Sequence, residues 1–152
     1  MNLICEGYDN RESNVVLNAA TGGVGPFPVF TTPLIKNVPV VSVTIDTTTL
    51  RDPSVLLSFT AQINMPAELN VNLAFTIKRS NNQGVEQAIG GTYVFSSIAE
   101  LLEAESFAFQ FLDTINTKGI YTYSVQLAAN SFIGIAPGLT ITNATLSALA
   151  VG

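Results

Sequence analysis

The chain has 152 residues, a hydrophobic fraction of 47% and only 11% charged residues, with a formal net charge of -5 and no histidine. That length fits one domain with a sizeable core and no need for staples, whereas six Lys and Arg, scattered along the chain with only Lys78 and Arg79 adjacent, exclude a nucleic-acid footprint and a polybasic membrane patch. Without histidine, Ser-His-Asp and Cys-His nucleophiles, the usual zinc sets and the commonest neutral-pH base are all absent.

In chain order, the opening MNLICEGYDN holds the only cysteine, Cys5, at the end of a short apolar run, Leu3, Ile4 and Cys5, with Tyr8 close behind. A polar stretch to Asn14, an apolar run Val15 to Leu17 and then TGGVGPFP follow. The Gly and Pro density of that last segment predicts a linker or irregular lead-in. Residues 1–28 therefore read as an N-terminal arm and linker, and residues 29–152 as the folded domain. TGGVG is not a phosphate cradle, because Pro26 and Pro28 follow where a helix would have to start.

From Val40 onward the period is two. Strands are predicted at Val40 to Ile45, at 55–63 with Val55, Leu57, Phe59, Ala61 and Ile63 on one face, and from Leu69 with Val71, Leu73, Phe75 and Ile77 alongside it. The turn formers Ser80 to Gly84 read as a hairpin loop. Further strands fall at Thr92 to Ser96, at 106–113 with Phe107, Phe109 and Phe111 together, and at 120–128 with Tyr121, Tyr123, Val125 and Leu127 together. The last two are joined by Thr114 to Gly119, which reads as a hairpin turn. Leu139 to Val151 is long enough to require a bulge or bend. Only SIAELLEAES, residues 97–106, has a helical pattern, predicted as a turn or two with Ile98, Leu101 and Leu102 on one side. Short strands at regular spacing mean an all-β protein, a jelly-roll type β-sandwich with a short N-terminal arm.

Candidate chemistry is sparse. Glu100, Glu103 and Glu105 are the only clustered carboxylates and read as a solvated face. Asp46 and Asp52 flank TTTLR, but their spacing matches no calcium loop, and Asp52-Pro53 reads as a strand-end cap. Asn143-Ala144-Thr145 forms an N-x-T acceptor without a secretion signal to support its use. Lys36, Lys78 and Lys118 read as surface lysines. The expectation is a non-enzyme with no catalytic residue, no metal and no cofactor.

Sheet edges are normally blunted by Lys, Pro or bulges, and here the polar strand faces carry Thr, Asn and Ser instead. Either the protein's own loops cover the edges or edge pairing between copies is the purpose. An arm bearing Leu3, Ile4, Cys5 and Tyr8 suits the second option, since adding a strand to a neighbour's sheet satisfies backbone groups on both sides. The other reading keeps residues 2–8 as the first strand of their own sandwich.

The stretch VPVVSVTIDTTTLRDPSVLLSFTAQIN resembles a family of small clostridial proteins of unassigned function, in which V-T-I-D-T-T-x-L-x-D-P precedes a long strand. The closing TNATLSALAV, the middle SFAFQFLDT with GIYTYSVQLA, and the opening LICEG resemble it too, over most of residues 34–151. The resemblance implies a β-sandwich from spore-forming anaerobes and carries over no catalytic residue. Members of that family look richer in cysteine, and this chain departs by keeping one.

The plan is also similar to the subunits of endospore appendages of bacilli, in which the arm joins successive subunits. These likenesses, with the arm, imply a structural subunit. It would assemble head-to-tail into an extracellular or spore-surface fibre, with its partner another copy of itself and an anchoring or spore-coat protein as a further partner. It has no recognisable leader, so delivery would follow lysis of the mother cell. The alternative is a binding module for carbohydrate or a host surface, for which Tyr8, Phe27 and Phe132 are the candidate stacking rings.

Overall fold

The computed structural model describes residues 14–28, 36–67, 69–82, 84–128, 131–134 and 138–152. Leu3, Ile4, Cys5 and Tyr8 lie outside the described residues. Nine strands follow in order: β1 (Val15–Phe27), β2 (Val38–Asp46), β3 (Ser54–Met65), β4 (Leu69–Asn81), β5 (Glu86–Ala99), β6 (Glu103–Thr114), β7 (Ile120–Leu127), β8 (Phe132–Gly134) and β9 (Leu139–Val151).

One sheet has the order β1-β9-β3-β6 and the other β2-β7-β4-β5, with β8 also pairing β4. Every pairing is antiparallel. Among the described strands only β4 to β5 is a hairpin within one sheet, and every other connection crosses between the layers, the β7–β8 step excepted. That crossing pattern is the jelly roll, so the all-β sandwich reading is what the chain adopts.

The core follows from the alternation. Leu57, Phe59 and Ile63 of β3 face Leu73, Phe75 and Ile77 of β4, all essentially fully buried, and each such side chain contributes about 1.5–3 kcal/mol relative to exposure. Strand β9 brings Ala144, Leu146, Ala148 and Ala150 to the same layer. Its length is accommodated by the expected bulge, at Asn143, where φ is +51° and the register against β3 slips between Thr60 and Gln62.

Strand β8 continues the path of β7 along β4. Between the two paired stretches Ser131 is buried and its hydroxyl accepts the Ala74 N–H at 3.0 Å, satisfying a β4 donor that neither strand pairs.

Three expectations are corrected. The stretch TGGVGPFP is not a lead-in, because residues 21–27 complete β1, which pairs with β9 from Val15↔Val151 to Phe27↔Leu139. Its glycines serve close approach rather than looseness. A Cβ on Gly22 would collide with the Val40 carbonyl oxygen of β2, in the other sheet. Gly22→Ala is therefore expected to cost about 1–3 kcal/mol of stability, as overpacking does, checked by denaturant unfolding with the slope unchanged.

Residues 97–106 form no helical turn. They are the end of β5, a turn at 100–102 and the start of β6. Ile98, Leu101 and Leu102, expected on one side of a helical turn, are 75%, 75% and 81% exposed.

Thr114 to Gly119 is not a hairpin either, since β6 and β7 belong to different sheets. Turn-forming residues fix the bend but not the sheet in which the chain resumes. Ile115 is buried and donates its N–H to the Pro53 carbonyl at 3.2 Å. Thr47 donates both its N–H and its hydroxyl to the Gly119 carbonyl at 2.8 Å, tying this arch to the β2–β3 loop.

Candidate functional site

The four edge strands of the two sheets meet in two seams, and the seams differ. At one, β1 closes onto β2: Asn18 Nδ2 donates to the Thr44 carbonyl at 2.6 Å, and Gly22 lies on the Val40 backbone. At the other, the side chains of β6 meet the side chains of β5 and the Gly90 backbone. Tyr93 stacks on Phe109 with centroids 3.9 Å apart and planes 4° from parallel, and Phe95 meets the edge of Phe107 at 5.7 Å. The Ser97 hydroxyl donates to Glu105 at 3.3 Å.

Phe107, Phe109 and Phe111 were expected to share a face, and they do, but they stay half-buried because β6 has no neighbour beyond it among the described residues. Lys and Pro are absent from both β5 and β6. Glu103 and Glu105 point inward at one end of β6, which blunts that stretch alone.

Asp113, Arg79 and Tyr123 form a polar cluster between the layers. Asp113 continues the inward parity of Phe107, Phe109 and Phe111 on β6, whereas Arg79 on β4 and Tyr123 on β7 come from the opposite sheet. Arg79 Nη1 donates to both carboxylate oxygens of Asp113 at 2.9 and 2.8 Å, and the Tyr123 hydroxyl donates to Oδ2 at 2.8 Å. Arg79 also donates to Gln87 Oε1 at 3.2 Å and lies 6.0 Å over the Tyr121 ring. Desolvation works against the Arg79 charge, but the hydrogen bond and charge of Asp113 outweigh it and hold the guanidinium above its ordinary value. Burial first, then the hydrogen bond and charge of Asp113, push the Tyr123 phenol well above its ordinary range.

The Tyr123 shift has a sign. The folded state keeps the Tyr123 proton that the unfolded chain loses above about pH 10, so its contribution is complete below that pH and declines as the pH rises. Unfolding free energy is expected to fall above about pH 10 by about 1.4 kcal/mol per unit more steeply than in Tyr123→Phe, read by urea titration of both proteins across the alkaline range.

The residues singled out by sequence do not assemble into a catalytic constellation. Asp46 Oδ1 accepts the Thr48 hydroxyl at 2.6 Å and its N–H at 2.9 Å, a local turn. The Thr48 hydroxyl, and then its N–H, hold the Asp46 carboxyl below its usual range. Asp52 adopts φ +48° before Pro53. Glu100 lies in the β5–β6 turn, Glu103 stands opposite Met65, and Glu105 is engaged by Ser97.

Asn143 is exposed on the β9 bulge, with Nδ2 donating to Gln62 Oε1 at 3.3 Å. Lys36 and Lys118 are exposed and Lys78 is half-exposed on the outer face of β4. Among the described residues no group of three or more His, Cys, Asp or Glu gathers to hold a metal, and no helix is long and apolar enough to cross a membrane. Phe27, a candidate sugar-stacking ring, is buried in the core. Tyr8 and the side chain of Phe132 lie outside the described residues.

Residues 13–151 match the family described as Domain of unknown function (DUF4489). No curated protein matches the chain. Two solved structures that it resembles are "Structure of infectious bursal disease virus Gx strain", at 11% identity and TM-score 0.42, and "Crystal structure of infectious bursal disease virus VP2 subviral particle", at 11% identity and TM-score 0.33. The matches cover 91% and 93% of this chain, which spans 42% of the length of each.

Proposed function

We propose, for a chain that belongs to the family described as a domain of unknown function (DUF4489), a structural role as a subunit of an extracellular or spore-surface fibre. Each copy gives its N-terminal arm, with Leu3, Ile4, Cys5 and Tyr8, to the sheet of the next. The observation that carries this reading is the β5–β6 seam, where among the described residues two long edge strands face each other across aromatic rings and the Ser97–Glu105 hydrogen bond. An added strand satisfies the edge N–H and C=O groups and covers half-buried rings.

The placement of the chain's ends supports a head-to-tail arrangement. Val15 pairs with Val151, and the Gly152 N–H donates to Asn14 O at 3.3 Å, so the arm departs beside the β2–β3 and β6–β7 loops. The exposed Ile98, Leu101 and Leu102 lie at the other end of the sandwich, about 40 Å away along strands of this length. A donor at one end and an apolar acceptor at the other form a heterologous contact, which propagates as a filament when its rotation does not close. Electron microscopy of the purified full chain at high concentration tests the role. Fibres are expected, and a preparation of monomers or small closed rings alone rejects it.

A further inference from the structure

The outer face of the β1-β9-β3-β6 sheet carries a row of four leucines that only the strand register brings together. Leu17 stands opposite Leu149, Leu149 opposite Leu56, and Leu56 opposite Leu112. The row therefore crosses all four strands, and the next row begins with Val15 opposite Val151. Leu17 and Leu112, at the two ends, are 67% and 58% exposed, and Leu56 and Leu149 between them are half-exposed.

Among the described residues the face is also free of charge. β1, β3 and β9 contain no charged residue, and the three carboxylates of β6, Glu103, Glu105 and Asp113, all have inward parity. The opposite sheet differs, with Lys78 and Glu86 on its outer face.

We propose that this face is where a second copy of the chain docks, sheet against sheet. Four strands of about twelve residues present about 19 by 40 Å, close to the roughly 800 Å² per partner of a standard interface. A two-fold axis parallel to the strands, lying between the two faces, lays leucine row on leucine row, with Ser, Thr and Gln of each copy meeting around it and no like charges to repel. The chain's own arm does not fit this role. An added strand runs along a sheet edge and covers one strand's width, whereas the leucine row runs across four. The contact is independent of the donated arm and gives lateral association beside the head-to-tail one.

The test uses the full chain in a Cys5→Ser background, with Ser58→Cys at the centre of the face or Ser96→Cys on the outer face of the other sheet. A bis-maleimide spanning about 10 Å, the distance between packed sheets, reports proximity. Ser58→Cys is expected to give cross-linked dimers and Ser96→Cys not. Adding Leu17→Glu and Leu112→Glu is expected to reduce the dimer at least tenfold, with the unfolding midpoint confirming an intact fold. Should that pair unfold the protein, Gln110→Glu places a single charge at an exposed position of the same face.

No Ser58→Cys dimer, equal dimer from Ser96→Cys, or a dimer indifferent to the glutamates overturns the proposal. So does a link within one chain between Cys5 and the Ser58→Cys thiol when Cys5 is retained, which would assign the face to the arm. Fibres without the cross-link reject this contact alone, and the cross-link without fibres rejects the donated arm alone.

Discussion

Asp113→Ala is expected to lower the unfolding free energy by about 3 kcal/mol, the low end of the cost of breaking a buried ion pair, because the Arg79 side chain retains some solvent contact. The carboxylate is the shared acceptor of the cluster: it takes two hydrogen bonds from Arg79 and one from Tyr123, and its removal leaves a guanidinium and a fully buried phenol without their partner. Tyr123→Phe removes one donor but leaves the Arg79 pair intact, so it is expected to cost about 1.5 kcal/mol, in the range for one hydrogen bond to a charged group. Replacing all three at once, with Arg79→Met, Asp113→Leu and Tyr123→Phe, is expected to recover most of the loss, since apolar side chains of similar volume remove the desolvation cost as well as the attraction.

Denaturant midpoints of the four proteins at neutral pH decide it. An Asp113→Ala cost below about 1 kcal/mol would mean that the cluster does not hold the layers together. Its position gives the effect a functional side, because Asp113 lies two residues before the buried Ile115 of the arch, at the end from which the arm departs.

That cluster was only half legible in the sequence. The alternation that puts Phe107, Phe109 and Phe111 inward extends to position 113, so an inward carboxylate is readable from parity. Its partners are not, because Arg79 and Tyr123 reach it from the other sheet, and parity says nothing about pairing across layers.

The same division runs through the fold. β3 and β4 were plain because their inward positions are apolar without a break from Val55 to Ile63 and from Leu69 to Ile77, and their outward ones mostly polar. β1 was disguised. Val15 and Leu17 point outward, the inward side is thinned to Ala20, Gly22 and Val24, and the glycine that reads as loose chain is demanded by the Val40 backbone beneath it. Residues 97–106 misled for the converse reason: Ile98, Leu101 and Leu102 have helical spacing but bury nothing. The leucine row was invisible, since residues 17, 56, 112 and 149 become neighbours only through three registers. Local periodicity reports which face a side chain takes and not what stands beside it.

Deleting residues 1–8 is expected to abolish fibres, whereas Cys5→Ser is expected to leave them largely intact. A single thiol forms one bond, so Cys5 can couple two copies and no more, and a disulfide cannot run through an unlimited chain of subunits. A donated strand has no such limit, because each copy has one arm to give and one open seam to receive it. In the proposed contact Cys5 serves as a small apolar side chain beside Leu3 and Ile4, so serine in its place is expected to change little of the buried surface. The deletion removes the strand itself, and the exposed seam then returns to the state of the isolated subunit. Electron micrographs and sedimentation of the three proteins separate the outcomes. Fibres lost with Cys5→Ser as well as with the deletion would make the Cys5 thiol necessary for assembly, and fibres kept in both would place it on surfaces of the sandwich alone.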